Sequence, residues 1–121
     1  MSARARVLIV DVSRESRDIL RTLLDRQGTE TLETAQFQSA SAIAKRERPD
    51  LIVCDADSDR SPAKEATRQL AHLASRSAIP IVVLGTVERD FRPLSGGNLV
   101  PKPYHYGPLL RKIEELLGNR G

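Results

Sequence analysis

A chain of 121 residues with 40% hydrophobic residues suffices for one modest core, and we predict a single domain spanning residues 1–121. Two Phe, two Tyr and no Trp leave few platforms for stacked bases, and the net charge of +3 comes from scattered Arg residues. Nucleic-acid binding through this domain is therefore not expected. No run approaches the roughly 20 apolar residues of a membrane helix, and a single cysteine excludes an internal disulfide. We expect a soluble, cytoplasmic domain.

The first predicted unit is a buried strand followed by an amphipathic helix. The strand spans Arg6–Asp11, and Ser13 can cap a helix that runs to Arg26. Gly28 follows as a helix-ending glycine. Arg17 is predicted to lie largely off the inner face. The inner face is predicted to carry Ile19, Leu20, Leu23 and Leu24.

The later elements continue the alternation of strand and helix. A weakly alternating segment at 29–35 predicts an edge-like strand, and an Ala-rich helix at 38–48 is closed by Pro49. The remaining predicted elements are a strand at Leu51–Cys54, a helix from Pro62 to Arg76, a strand at Ile79–Gly85, a strand at Asn98–Val100 and a helix at Pro108–Leu117.

This alternation predicts an α/β fold, a flavodoxin-like, doubly wound five-stranded parallel sheet in the order 2-1-3-4-5. The fourth crossover, which connects the fourth and fifth strands, is predicted to be irregular. It runs through TVERDFRPLSGGN, where Pro93 and two glycines leave room for only a turn or two of helix. We therefore expect a short or irregular connection there.

Four predicted strands are followed by polar residues. Asp11 ends the first strand, Asp55 follows the third, Thr86 the fourth and Lys102 the fifth. In open parallel sheets, functional groups gather beyond the carboxyl ends of the strands, so we expect these side chains on one rim. The residues alone leave a plainer alternative open, in which Asp55 and the acids after it solvate a loop and cap the next helix.

Three segments together resemble the receiver domain of bacterial two-component response regulators. They are VLIVD ending at Asp11, PDLIVCD ending at Asp55 and VPKPY containing Lys102, and the resemblance covers essentially the whole chain. It implies that Asp55 accepts a phosphoryl group from a histidine kinase and that Lys102 pairs with the phosphate. It also implies a Mg²⁺ site at Asp11, Asp55 and the backbone carbonyl of Asp57, because a carboxylate attacking phosphorus needs nearby positive charge.

Three positions depart from the receiver pattern. Val12 stands where receivers carry a second acid, and it offers no side-chain oxygen, so Mg²⁺ binding is expected to be weak or absent. Gly85 replaces the usual hydroxyl residue, and Thr86 comes one position late, where it can substitute only if the backbone is displaced. Leu99 replaces the aromatic residue that serves as a switch in the family.

These departures favour a pseudo-receiver, a non-enzymatic module of signal transduction that holds a protein partner such as a histidine kinase or an output protein. The alternative is a working phosphoacceptor in which Asp55 is phosphorylated with weak Mg²⁺ support. A flavodoxin-like domain that binds a small ligand ranks lower, because DVSRES after the first strand lacks a Gly-rich phosphate loop.

The other chemically capable side chains are assigned structural roles. His72 and His105 have no partner at metal-ligand spacing. Cys54 is expected to be a small buried core residue, since it lies inside an apolar run. Tyr104 and Tyr106 are expected to be partly buried at the base of the last helix.

Overall fold

The computed structural model describes residues 4–55, 61–85, 97–101 and 104–118. Every predicted strand and helix is present within these ranges, with ends that differ from the prediction by a few residues. The elements are β1 (Arg6–Val10), α1 (Arg14–Arg26), β2 (Glu30–Thr34), α2 (Phe37–Glu47), β3 (Leu51–Asp55), α3 (Ser61–Arg76), β4 (Ile81–Gly85), β5 (Gly97–Pro101) and α4 (Tyr106–Gly118).

The strands form a parallel sheet in the order β2-β1-β3-β4-β5, which confirms the predicted topology. The register places Val10 beside Cys54 and Asp55 beside Leu84, so β1, β3 and β4 end close to the same level. The predicted irregular fourth crossover falls at residues 86–96, outside the described part of the chain.

Both faces of the central strands are buried, because α1 and α4 cover one face and α2 and α3 cover the other. Along β1, Val7 and Ile9 belong to the cluster that includes α1 and α4, whereas Leu8 and Val10 belong to the cluster with α2 and α3. This burial on both sides explains why β1, β3 and β4 are continuous apolar runs rather than alternating ones. β2 is less buried, as expected for an edge strand.

The ends of α1 follow from local chemistry. The Ser13 hydroxyl accepts a hydrogen bond from the backbone N–H of Ser16 at 3.2 Å, which confirms the predicted N-cap. At the other end Gly28 adopts a positive φ of 78°. Its N–H donates to the carbonyl of Asp25, and the N–H of Thr29 donates to the carbonyl of Leu24, both at 3.0 Å. This is a Schellman ending, which favours glycine at that position.

The predicted inner face of α1 needs one correction. Leu20 and Leu24 are buried and Leu23 is partly buried, but Ile19 is 38% exposed. Successive helical residues are about 100° apart, so Ile19 lies at the edge of the stripe that Leu20 and Leu24 define. Arg17 lies three residues before Leu20 and seven before Leu24, which places it on the inner stripe instead.

Cys54 is a buried core residue, as predicted. Its Sγ lies 3.7 Å from the hydroxyl of Thr67 on α3, and both residues are fully buried. Burial raises the pKa of the thiol to about 12, while the hydrogen bond with Thr67 lowers it and the charge of Asp55 raises it further. The thiol is therefore protonated at neutral pH.

Candidate functional site at the carboxyl edge of the sheet

Asp11 and Asp55 occupy equivalent positions on neighbouring strands. Val10 pairs with Cys54 in the register of β1 and β3, and each acid is the next residue along its strand. Neighbouring parallel strands lie about 4.8 Å apart, so the two acids leave the sheet side by side at its carboxyl edge. The structure thus brings together the two acids that the sequence pattern placed on one rim.

Asp11 is a buried acid, with a relative exposure of 7%. One carboxylate oxygen, Oδ1, accepts a hydrogen bond from the backbone N–H of Ser13 at 2.9 Å. Its own N–H donates to the carbonyl of Thr34 at 3.1 Å, which extends the pairing of β1 with β2 by one residue. The carboxylate therefore holds the turn into α1 as well as facing the rim.

Arg17 completes this turn, and the sequence pattern did not assign it a role. Its Nη1 donates to the carbonyl of Asp11 at 2.7 Å and to the carbonyl of Val12 at 3.2 Å. Its Nε lies 3.4 Å from Oε1 of Glu33 on β2, and the Arg17 side chain is only 15% exposed. The helical spacing of Arg17 with Leu20 and Leu24 is the sequence signal that would have found it.

Val12 points away from the protein. Its side chain is 63% exposed, which makes it one of the two large apolar residues exposed in the described part of the chain. Its backbone carbonyl is engaged by Arg17. At the position where a second acid is expected, the described chain therefore offers an exposed isopropyl group.

Tyr104 and Tyr106 flank the other side of the rim, after β5. Their rings meet edge to face, with centroids 5.7 Å apart and planes at 84°. Both pack against the cluster that contains Leu84 and Leu109, which confirms the predicted partial burial. Burial raises the pKa of the Tyr104 phenol most, followed by Tyr106 and the charge of Asp55. The charge of Asp55 therefore acts on the Tyr104 phenol, a relationship that the sequence did not reveal.

Three predicted site residues, Asp57, Thr86 and Lys102, lie outside the described residues. Asp55 is described and partly exposed at the end of β3. His72 and His105 are both exposed. Over the described ranges, no three His, Cys, Asp or Glu side chains are grouped so that they could hold a metal ion. None of the described helices is long and apolar enough to cross a membrane.

The strand order 2-1-3-4-5, helices on both faces and two acids at the carboxyl edge define a flavodoxin-like protein with a rim site. Solved structures share this fold. The Vibrio cholerae chemotaxis protein CheY4 superposes with a TM-score of 0.78 at 23% identity, covering 94% of this chain and 99% of that one. The receiver domain of the Pseudomonas aeruginosa sensor histidine kinase PA1611, solved with a magnesium ion in its active-site cleft, gives 0.74 at 21% identity, covering 97% and 100%.

Relatives in sequence identify the family. Protein PilH of Pseudomonas aeruginosa is 30% identical over 118 residues, covering 93% of this chain and 98% of PilH. The phosphate regulon transcriptional regulatory protein PhoB of the same organism is 28% identical over 120 residues, covering 95% of this chain but 52% of PhoB. No family model matches the chain. The chain belongs to the receiver-domain family of two-component response regulators.

Proposed function

We propose that this receiver domain is a pseudo-receiver, with impaired Mg²⁺-dependent phosphorylation, that acts in two-component signalling through protein–protein contacts. The observation that carries the proposal is the exposed Val12 side chain beside Asp11. A phosphorylated carboxylate concentrates negative charge, and a receiver relies on a metal held by several acids to offset that charge. Val12 removes one acid from that set.

The remaining oxygen donors fit a weak Mg²⁺ site. Asp11 and Asp55 supply two adjacent carboxylates, which suit a hard cation, and Asp57 is the proposed third ligand through its backbone carbonyl. Oδ1 of Asp11 already accepts from Ser13, and the carbonyl of Val12 already accepts from Arg17. When bound, Mg²⁺ would supply positive charge next to Asp55. With few protein ligands the ion would keep most of its waters, and its affinity would be low.

Gly85 supports the same proposal from the neighbouring strand. It is the last residue of β4 and directly follows Leu84, the residue that pairs with Asp55 in the register, and it has no hydroxyl to donate to a phosphoryl oxygen. Thr86 is the proposed substitute and Lys102 the proposed phosphate partner. Positioning and charge neutralisation are nearly all that phosphoryl transfer asks of a protein, so each missing group slows the step.

A working phosphoacceptor is the second candidate, and the placement of Asp55 favours it. The carboxylate is partly exposed at the end of β3 and stands beside Asp11. In this function a carboxylate oxygen of Asp55 attacks the phosphorus of a phosphohistidine on a histidine kinase, the P–N bond breaks, and the imidazole nitrogen keeps the electron pair and takes a proton from water. In both candidate functions the partner is a histidine kinase or an output protein. In both, residues 1–121 form a single domain that acts in the cytoplasm.

Phosphorylation by a small donor separates the two candidates. The 121-residue chain is incubated with acetyl phosphate and Mg²⁺, and its intact mass is followed beside that of Asp55→Asn. The pseudo-receiver gives little or no gain of a phosphoryl group in either protein. Stoichiometric phosphorylation of the wild-type chain that vanishes in Asp55→Asn would instead establish the phosphoacceptor.

A further inference from the structure

A groove lies at the amino edge of the sheet, on the opposite side of the molecule from Asp11 and Asp55. It lies between the carboxyl-terminal ends of α2 and α3 and the segments that lead into β3 and β4, and its volume is about 590 Å³. Pockets that hold small molecules typically measure roughly 300–1,000 Å³. Five residues of strand separate it from the acid rim, a distance on the order of 15 Å.

The groove has an apolar floor and a cationic border. Its floor includes Ala44 and Pro49, which are both buried. Its border carries three exposed cations, Lys45, Arg48 and Arg76. The cations dominate the accessible border, so the groove suits a charged ligand of opposite sign.

The cations of the border are not neutralised by the described part of the protein. Asp50 is the acid that lines the groove, and its Oδ2 accepts from the backbone N–H of Arg6 at 2.8 Å. Across the described ranges, Lys45, Arg48 and Arg76 form no ion pair with a carboxylate. Three positive charges therefore face one carboxylate around this groove.

Cations near the carboxyl ends of helices often stabilise the unpaired carbonyls there. Here a backbone N–H already satisfies one carbonyl near the carboxyl-terminal end of each helix. The N–H of Arg48 donates to the carbonyl of Ala44 at 2.9 Å, and the N–H of Ile79 donates to that of Ala74 at 2.9 Å. Within the described chain, the side chains of the three cations donate to neither of these carbonyls, and all three side chains are exposed.

Two residues of the groove have a strained backbone. Arg48 has φ 47° and ψ 64°, in the left-handed region, and Ala78 has φ 58°. These are the two non-glycine residues with positive φ in the described chain. Such a conformation costs about 1–2 kcal/mol per residue, and glycine or asparagine would adopt it at lower cost. Both residues end a helix in the left-handed conformation, α2 at Arg48 and α3 at Ala78, and at Arg48 this ending holds an arginine at the border of the groove.

We propose that this groove binds a small polyanion carrying phosphate or carboxylate groups. The planar guanidinium groups of Arg48 and Arg76 match the oxygens of either group, and Lys45 adds a point charge. The site lies at the opposite end of the strands from Asp55 and shares no lining residue with the acid rim.

To test the site, the isotope-labelled 121-residue chain is titrated with pyrophosphate in low salt without Mg²⁺. The amide chemical shifts are followed during the titration. Saturable shifts are expected at residues 45–50 and 76–79, with unchanged amides at 11–13 and 55. A parallel titration with citrate distinguishes the ligand chemistry. Saturation by pyrophosphate alone indicates that the ligand carries phosphate groups, and saturation by citrate alone indicates that it carries carboxylate groups. Saturation by both indicates a site that accepts either kind of polyanion.

Matched variants separate a built site from general charge attraction. Arg48→Asn removes the charge but tolerates the left-handed backbone, so the protein should fold, and the dissociation constant should rise roughly fivefold or more. Arg76→Gln should have a similar effect. The control Arg46→Gln removes the same charge from the same helix outside the groove, and should change the constant less than about twofold. Unsaturable shifts, or an equal loss in Arg46→Gln and Arg48→Asn, would overturn the proposal.

Discussion

The guanidinium of Arg17 on α1 donates a 2.7 Å hydrogen bond to the backbone carbonyl of Asp11, the residue that follows β1. The same side chain reaches the carbonyl of Val12 and pairs with Glu33 on β2. One nearly buried arginine thus ties the first turn of the rim to a helix and to the neighbouring strand. The same arrangement engages the backbone of Val12, whose side chain is exposed.

Arg17→Gln should therefore destabilise the protein and loosen the turn. It removes hydrogen bonds from a charged, largely buried donor, and we expect a loss of about 1–3 kcal/mol in the free energy of unfolding. Urea denaturation measures this loss, and faster hydrogen exchange at the Ser13 amide reports the turn. Arg21 pairs with the same Glu33 but is more exposed and contacts neither carbonyl. Arg21→Gln should cost less than about 1 kcal/mol, and equal losses in the two variants would contradict the role given to Arg17.

Val12→Asp should raise Mg²⁺ affinity at the rim. A third carboxylate beside Asp11 and Asp55 adds an oxygen ligand and concentrates negative charge, and an increase of roughly tenfold, about 1.4 kcal/mol, is expected. Titration calorimetry measures the change, with the wild-type chain and Val12→Asn as controls. Asparagine is a suitable control because it has the shape of aspartate without its charge. Without Mg²⁺ the Val12→Asp protein should be less stable than Val12→Asn. A Mg²⁺ affinity of Val12→Asp no higher than that of the wild-type chain would show that position 12 does not limit the metal site.

Because its thiol is buried, Cys54 should make the free energy of unfolding depend on pH in the alkaline range. The thiol has a pKa of about 12 when folded, against 9.0 for an unperturbed thiol, because burial disfavours the thiolate. Above pH 9 the unfolded chain releases this proton and the folded chain retains it. The contribution of Cys54 to stability is therefore full below pH 9 and is lost between pH 9 and 12, at up to about 1.4 kcal/mol per pH unit.

Urea denaturation of the wild-type chain and of Cys54→Ala at pH 8, 9 and 10 measures this dependence. Cys54→Ala should be less stable at every pH because it leaves a cavity, but its stability should fall less steeply above pH 9. Two curves with the same slope would contradict the protonated thiol. Tyr104, whose pKa is also raised, contributes equally to both proteins.

Ala78→Gly should stabilise the protein. Glycine adopts the positive φ of 58° without the steric cost that alanine carries, and a gain of about 1 kcal/mol is expected. The control Ser75→Gly lies in the last turns of α3, where glycine should lower stability by about 0.5–1 kcal/mol. Thermal or urea denaturation distinguishes the two, and a loss of stability in Ala78→Gly would show that the backbone at position 78 is not strained.

The order of elements and the position of the two acids followed from the sequence. Apolar runs such as VLIV and LIVC are long enough for strands buried on both faces, and such strands occur in parallel sheets covered by helices. Once β1 and β3 are parallel neighbours, the residues that follow them must leave the sheet at the same edge. Ser13 and Gly28 marked the ends of α1 because the cap and the left-handed ending each favour a particular residue type.

Tertiary contacts decided what the sequence left open. The pattern on α1 favoured Ile19 over Arg17 as an inner residue, because hydrophobicity was the only criterion. In the folded protein Ile19 lies at the edge of the buried stripe. Arg17 lies on the stripe, where it binds the carbonyl of Asp11 and pairs with Glu33. The effect of the Asp55 charge on Tyr104 depends on how β5 and α4 pack beside β4. The cationic groove joins the ends of α2 and α3, which are separated by about thirty residues of sequence, so no local pattern predicts it. Periodicity determines which face of an element is buried, but contacts between distant segments determine what each polar side chain does there.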